Sequence, residues 1–135
     1  MRGGVHHIDL TVGDPKASKP FYEAVLGFLG YVIVDDRDDF IDFNLKAPDN
    51  QCFIGLARAK GENATRPHDR YSMGLHHLAL EAESRADVDA LHALLQRIGA
   101  TILDAPSEYP QYSPGYYAVF FADPDGLKLE YVHKP

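Results

Sequence analysis

One cysteine, Cys52, stands in 135 residues, so the chain can form no internal disulfide and build no multi-cysteine zinc or iron–sulfur site. No apolar stretch approaches the roughly 20 residues that span a bilayer. The N-terminus runs from Met1 into His6 and Ile8 without an apolar export region. Cationic side chains are scarce as well: 13 Lys and Arg face 20 Asp and Glu, for a formal charge of -7. An acidic surface repels phosphate backbones and anionic lipid, so neither nucleic acid nor membrane is an expected partner. What remains is a soluble protein, expected in the cytoplasm, with length for one domain or two small modules sharing a core. Its 7 histidines are the compositional hint of chemistry.

The chain repeats itself. HHIDL at His6–Leu10 returns as HHLAL at His76–Leu80, and each copy leads into a helical stretch, a glycine and a β-rich segment. After the first copy, Asp14 is placed to cap a helix with Pro15 at its first position. Phe21, Val25 and Phe28 space one apolar face of that helix, and Gly27 and Gly30 read as stop signals. After the second copy, Ser84 and Asp87 resemble a capping box. Val88, Leu91, Leu95 and Ile98 then recur at helical spacing up to Gly99. Strands are expected at Tyr31–Val34, Phe40–Leu45 and Gln51–Ala57, then at Ala100–Leu103, Tyr116–Phe121 and Leu127–Val132. APDN (Ala47–Asn50) and DPDG (Asp123–Gly126) supply the turns before each last strand. Each half therefore reads β-α-β-β-β: module one over 1–57, a polar linker over 58–73, module two over 74–135. The fold class is α+β, and two such modules packed as a pseudo-twofold pair leave a cleft for a small-molecule site.

Strand alternation sorts the histidines. Ile8, Leu10 and Val12 share the face that must meet the helix, so His7, Asp9 and Thr11 point to the open side. His6 then turns toward the helix layer or the strand's end. In the second copy His77, Ala79 and Glu81 take the open side, and in the last strand Lys128, Glu130 and Val132 do. Two imidazoles and a carboxylate on one side suit a facial site for Fe(II), Mn(II), Co(II), Ni(II) or Zn(II) with positions left for ligand oxygens. The same residues also read as hydrogen-bonded polar groups with no ligand at all.

HHIDLTVGDPKASKPFYEAVLGFLGY, HHLALEAE and YYAVFFADPDGLKLEYVH together resemble the vicinal oxygen chelate superfamily, which holds glyoxalases, bleomycin- and fosfomycin-resistance proteins and extradiol dioxygenases. The resemblance spans nearly the whole chain. It implies paired βαβββ modules around a metal cleft, a divalent metal cofactor, and His7, His77 and Glu130 as its ligands. It also shows departures. Glyoxalase I-like members carry a fourth ligand in the last strand of the first module, where this chain has Ile54 if the turns are aligned or Gly55 if the strands are. Extradiol dioxygenases carry a tyrosine ten residues before the glutamate, where Phe120 stands here. Fosfomycin transferases also carry a tyrosine there, and a threonine two residues after the first histidine, where Asp9 stands.

The expectation is a metal-dependent lyase, isomerase or dioxygenase acting on a small oxygenated metabolite, and not a standard glutathione-dependent glyoxalase. The rival is a non-catalytic protein that sequesters a small ligand, as bleomycin-resistance members do. Asp9 reads as a base or as a wet-cleft polar residue, and Glu130 as ligand and catalytic carboxylate. The loop Asp104–Gly115 interleaves Pro106, Pro110 and Pro114 with Tyr109 and Tyr112 and runs into Tyr116. It reads as a substrate-recognising lid or as a packed loop; in the first case Tyr109 and Tyr116 join Phe120 as substrate contacts. His68, His92 and His133 read as surface residues, and Cys52 as packing. The chain could act alone or as a homodimer.

Overall fold

Each repeat copy builds its own four-stranded sheet. The structure, a computed structural model, describes residues 2–48 and 50–135, and it divides into two units, Met1–Arg66 and Pro67–Pro135. The first holds β1 (His7–Val12), α1 (Pro15–Phe28), β2 (Val32–Asp36), β3 (Phe40–Ala47) and β4 (Asn50–Arg58), then a short 3-10 helix at Gly61–Thr65. The second holds β5 (Leu78–Glu81), α2 (Arg85–Arg97), β6 (Thr101–Glu108), β7 (Tyr117–Ala122) and β8 (Lys128–His133). The sheet orders are β1-β4-β3-β2 and β5-β8-β7-β6. In each, the first strand runs parallel to the last and the other pairs are antiparallel. Among the described residues no helix is long and apolar enough to cross a membrane.

The caps form where their residue types favour them. Asp14 accepts from the Lys16 N–H at 3.1 Å with Pro15 opening α1. Ser84 accepts from the Asp87 N–H at 3.1 Å, while Asp87 accepts from the Glu83 N–H at 3.2 Å, one residue beyond the cap N–H that a full capping box uses. Gly27 does not stop α1, because the helix continues through it to Phe28. The stop is Gly30, whose φ of +97° only glycine adopts at low cost, followed by a Tyr31 N–H bond to the Leu26 carbonyl at 2.9 Å.

Helical and strand periodicities meet in the two cores. Tyr22, Val25 and Leu26 of α1 are buried with Leu10, Val12, Ile41, Phe43, Ile54 and Leu56 of the first sheet. Val88, Leu91 and Leu95 of α2 are buried with Phe121, Leu129 and Tyr131 of the second. The Tyr131 O–H reaches across to Asp87 at 2.5 Å, which satisfies a phenol that burial would otherwise leave costly. Each helix packs on one face of its own sheet, so His7, Asp9 and Thr11 take the other face, as alternation requires.

The expected loop 104–115 is shorter than read, because β6 continues to Glu108. It is an edge strand with register shifts on both sides of Asp104, so Pro106 fits without breaking the ladder. What remains is a closed loop whose neck is the Tyr109 N–H bond to the Tyr116 carbonyl at 2.9 Å. His68 also departs from the surface reading: it is half-buried, its N–H bonds the Asp125 carbonyl at 3.2 Å, and its Nε2 has no partner among the described residues. His92 and His133 are likewise half-buried, with His133 Nδ1 at 3.3 Å from the Ala82 carbonyl. Of the turn Ala47–Asn50, Asp49 lies outside the described residues.

Candidate functional site

Strand β8 carries the central residue. Glu130 pairs with Ala79 of β5 and Phe120 of β7, placing it in the middle of the second sheet. It is only 2% exposed. Its Oε2 lies 3.0 Å from Nε2 of His77, and its Oε1 accepts from the Tyr116 hydroxyl. Among the described residues no Lys or Arg pairs with it. A carboxylate removed from water needs such partners, since an unpaired buried charge costs several kcal/mol or more.

His77 stands just ahead of β5, and its Nδ1 lies 2.8 Å from Nδ1 of His76. A neutral His77 that donates from Nε2 to Glu130 must accept at Nδ1, so the shared proton then belongs to His76. His76 is held below the ordinary imidazole value, first by desolvation and then by His77, Lys128 and Arg70. The first unit repeats the arrangement, with His6 Nδ1 and His7 Nδ1 at 2.9 Å. Here alternation fails for His6: the ladder begins at His7, and the His6 ring stacks on Phe53 at 5.6 Å.

Four rings surround the Glu130 end of the sheet. Tyr109 stacks on Tyr112 at 5.5 Å and 15°, and meets Phe120 edge-on at 5.4 Å. Tyr116 stands edge-on to Tyr112 at 5.3 Å, and His77 lies 6.3 Å from Phe120. Burial first, and then the hydrogen bond to Glu130, push the Tyr116 phenol far above its ordinary value, so it remains a donor. Tyr116→Phe is therefore expected to destabilise the protein by about 1.5–3 kcal/mol, the range for a hydrogen bond to a charged group. A urea-unfolding midpoint unchanged by the substitution would contradict this.

The open face of the first sheet is different. β1 and β3 flank Gly55 in register, with Asp9 on one side and Asp42 on the other. A Cβ at Gly55 would fall 2.4 Å from Asp9 Oδ1 and 2.6 Å from Phe40 Cζ, so the carboxylate occupies space a side chain would need. Burial raises the Asp42 carboxyl above its usual range, followed by the charges of Asp9 and Asp35, while His7 pulls it down.

The register decides which residue matches Glu130. HHIDL and HHLAL set Asp9 against Ala79, Asp9 pairs with Gly55, and Ala79 pairs with Glu130. Gly55 is thus the equivalent residue, and the turn-based alternative Ile54 is not; Ile54 is 1% exposed in the core. The structure brings together His77, Glu130, Tyr116, Tyr109 and Phe120 in the second unit, and His7 and Asp9 share a strand face in the first. Among the described residues no three His, Cys, Asp or Glu side chains are gathered into a ready metal cluster. Sequence reading missed the Tyr116–Glu130 bond and the paired imidazoles. The doubled HH was the available signal for the second.

Two βαβββ units with an imidazole and a buried carboxylate on an open sheet face define a small two-module α+β class. The chain belongs to the Glyoxalase/Bleomycin resistance protein/Dioxygenase superfamily, whose profile matches residues 4–131. It is 32% identical over 128 residues to the uncharacterized protein YqjT of Bacillus subtilis (strain 168), covering 95% of this chain and 97% of that one. Its fold is similar to that of a Bacillus halodurans protein named "putative glyoxalase", with TM-score 0.81, 29% identity, and 98% and 97% of the two chains covered. A glyoxylase/bleomycin resistance protein/dioxygenase domain from Frankia sp. EAN1pec matches with TM-score 0.74 and 25% identity over 100% of both chains.

Proposed function

We propose that the protein is a divalent-metal-dependent enzyme of this superfamily that acts on a small oxygenated metabolite bound through two adjacent oxygens. The observation that carries this reading is Glu130, 2% exposed and faced by an imidazole nitrogen at 3.0 Å rather than by a Lys or Arg. Imidazole nitrogen and carboxylate oxygen are the donor set that Fe(II), Mn(II), Co(II), Ni(II) and Zn(II) share. In the second unit His77 and Glu130 would hold the ion, and in the first His7 is the residue proposed as a ligand. When bound, the ion supplies Lewis acidity toward the ligand's oxygens.

The chain's own groups do the rest. Tyr116 fixes one oxygen of Glu130, and His76 and His6 orient the rings of His77 and His7. Asp9 has no Lys or Arg partner among the described residues and is a carboxylate open to a proton of the ligand. Tyr109, Tyr116 and Phe120 give the ligand an aromatic wall. The same wall favours a second reading, non-catalytic sequestration of a planar ligand. Elemental analysis after reloading with Mn(II), Fe(II), Ni(II) and Zn(II) in turn separates them. About one ion per chain supports the enzyme, and retention no better than a surface histidine pair removes it.

Glutathione-dependent isomerisation is expected to be poor. Position 55 offers no carboxylate, and Asp9 fills its space from the neighbouring strand. A steady-state assay with the methylglyoxal–glutathione adduct should show only trace turnover. A kcat in the ordinary enzyme range of roughly 1–10³ s⁻¹ would refute this.

A further inference from the structure

At three positions the open face of the first sheet carries a polar residue where the second carries an apolar one, while Gly55 and Phe53 stand where the second has Glu130 and Lys128. By register, Asp9, Asp42 and Asn44 correspond to Ala79, Phe120 and Ala122. Several acids of this unit have cations beside them: Asp14 has Arg58 at 3.2 Å, Asp35 has Arg37 at 3.0 Å, and Asp36 has Lys16 and Lys19 at 2.5 and 2.7 Å. Among the described residues no Lys or Arg is within ion-pair distance of Asp9 or Asp42. Two residues along β3 from Asp42, on the same face, Asn44 is 1% exposed, and neither Oδ1 nor Nδ2 has a partner among the described residues. A buried amide left unpaired bears the full desolvation cost of both its polar atoms. Such a residue calls for a partner that the described side chains do not supply, a water or a ligand group.

We infer that Asp9, Asp42 and Asn44 form a subsite for a protonated amine carried by the ligand. The inference deepens the small-molecule reading above and rests on it. An ammonium has three donors and no acceptor, and two carboxylates with one amide oxygen offer it three acceptors. Charge assistance strengthens the two carboxylate bonds, and the same carboxylates repel an anionic ligand. Phe40, in register with Ala57 beside the Asp42–Gly55 pair, and Phe53, paired with both His7 and Asn44, lie on this face and suit an apolar body behind the nitrogen.

The test uses metal-free, ¹⁵N-labelled full-length protein and three probes of one skeleton at constant ionic strength: 2-phenylethylammonium, 2-phenylethanol and phenylacetate. The reporter is the Asn44 side-chain amide signal, assigned by its loss in Asn44→Leu. The ammonium should shift it saturably, while the alcohol and the carboxylate leave it unmoved at the same concentrations. Asp42→Asn should weaken the ammonium about tenfold or more, the scale of one charge-assisted hydrogen bond, and Asp42→Ser provides the same reading if the first variant does not fold. A signal unmoved by the ammonium, equal shifts from all three probes, or wild-type affinity in the Asp42 variants would each overturn the subsite. No metal is present in this experiment, so the subsite can fail while His77 and Glu130 retain an ion, and the reverse.

Discussion

His77→Ala and His7→Ala are expected to abolish retention of a divalent ion, with His6→Ala and His76→Ala keeping the site. His77 turns Nε2 toward Glu130 and Nδ1 toward His76, so in the proposed site His77 would be the ligand and His76 would only back it. Removing a proposed ligand takes away a donor outright, whereas removing a backing ring costs about 10–100-fold in affinity. Elemental analysis of the four variants, each checked by circular dichroism, gives the ranking. Loss of metal in His6→Ala and His76→Ala with retention in the other two would overturn both the register and the site. A one-residue slip would move Leu10 and Val12, both buried, to the open face.

Gly55→Ala is expected to lower stability by about 1 kcal/mol, the low end of the cost of forcing atoms into a filled space, because the atoms it meets are side-chain ends that can shift. The added Cβ would meet Asp9 Oδ1 at 2.4 Å and Phe40 Cζ at 2.6 Å, both far inside contact distance. Both atoms are side-chain ends, so the strand survives while Asp9 and the Phe40 ring are displaced. Gly55 is also flanked by neighbours on both sides in the sheet, through Asp9 and Asp42, which limits sideways relief. Chemical denaturation measures the loss. An unchanged midpoint would mean that Asp9 leaves this position freely, and would weaken its assignment as a fixed carboxylate.

Much of this architecture was legible because period and punctuation agree. Asp14, Pro15, Ser84, Gly30 and Gly99 mark the helix ends, and the alternation of Leu10 and Val12 with Asp9 and Thr11 fixes which face opens. Legibility fails where a local signal competes with a tertiary one. Gly27 looks like a stop, but burial of Val25 and Leu26 carries the helix past it. Pro106 looks like a loop residue, but an irregular edge strand accommodates it. The Tyr116–Glu130 bond joins residues 14 positions apart across a loop and a strand, and no periodicity announces it. The choice between Ile54 and Gly55 also needed the ladder, because the turns preceding β4 and β8 differ in length.

The parallel pairing of each unit's first strand with its last has a kinetic consequence. β5 and β8 are neighbours in the sheet but lie at opposite ends of the second unit's sequence, so their pairing closes its longest loop and carries the largest loop-closure entropy. His77 and Glu130, separated by 53 positions, sit on either side of that seam. A ligand held by both recognises the finished unit and has no counterpart in the open chain. Its concentration therefore sets how firmly the seam stays shut.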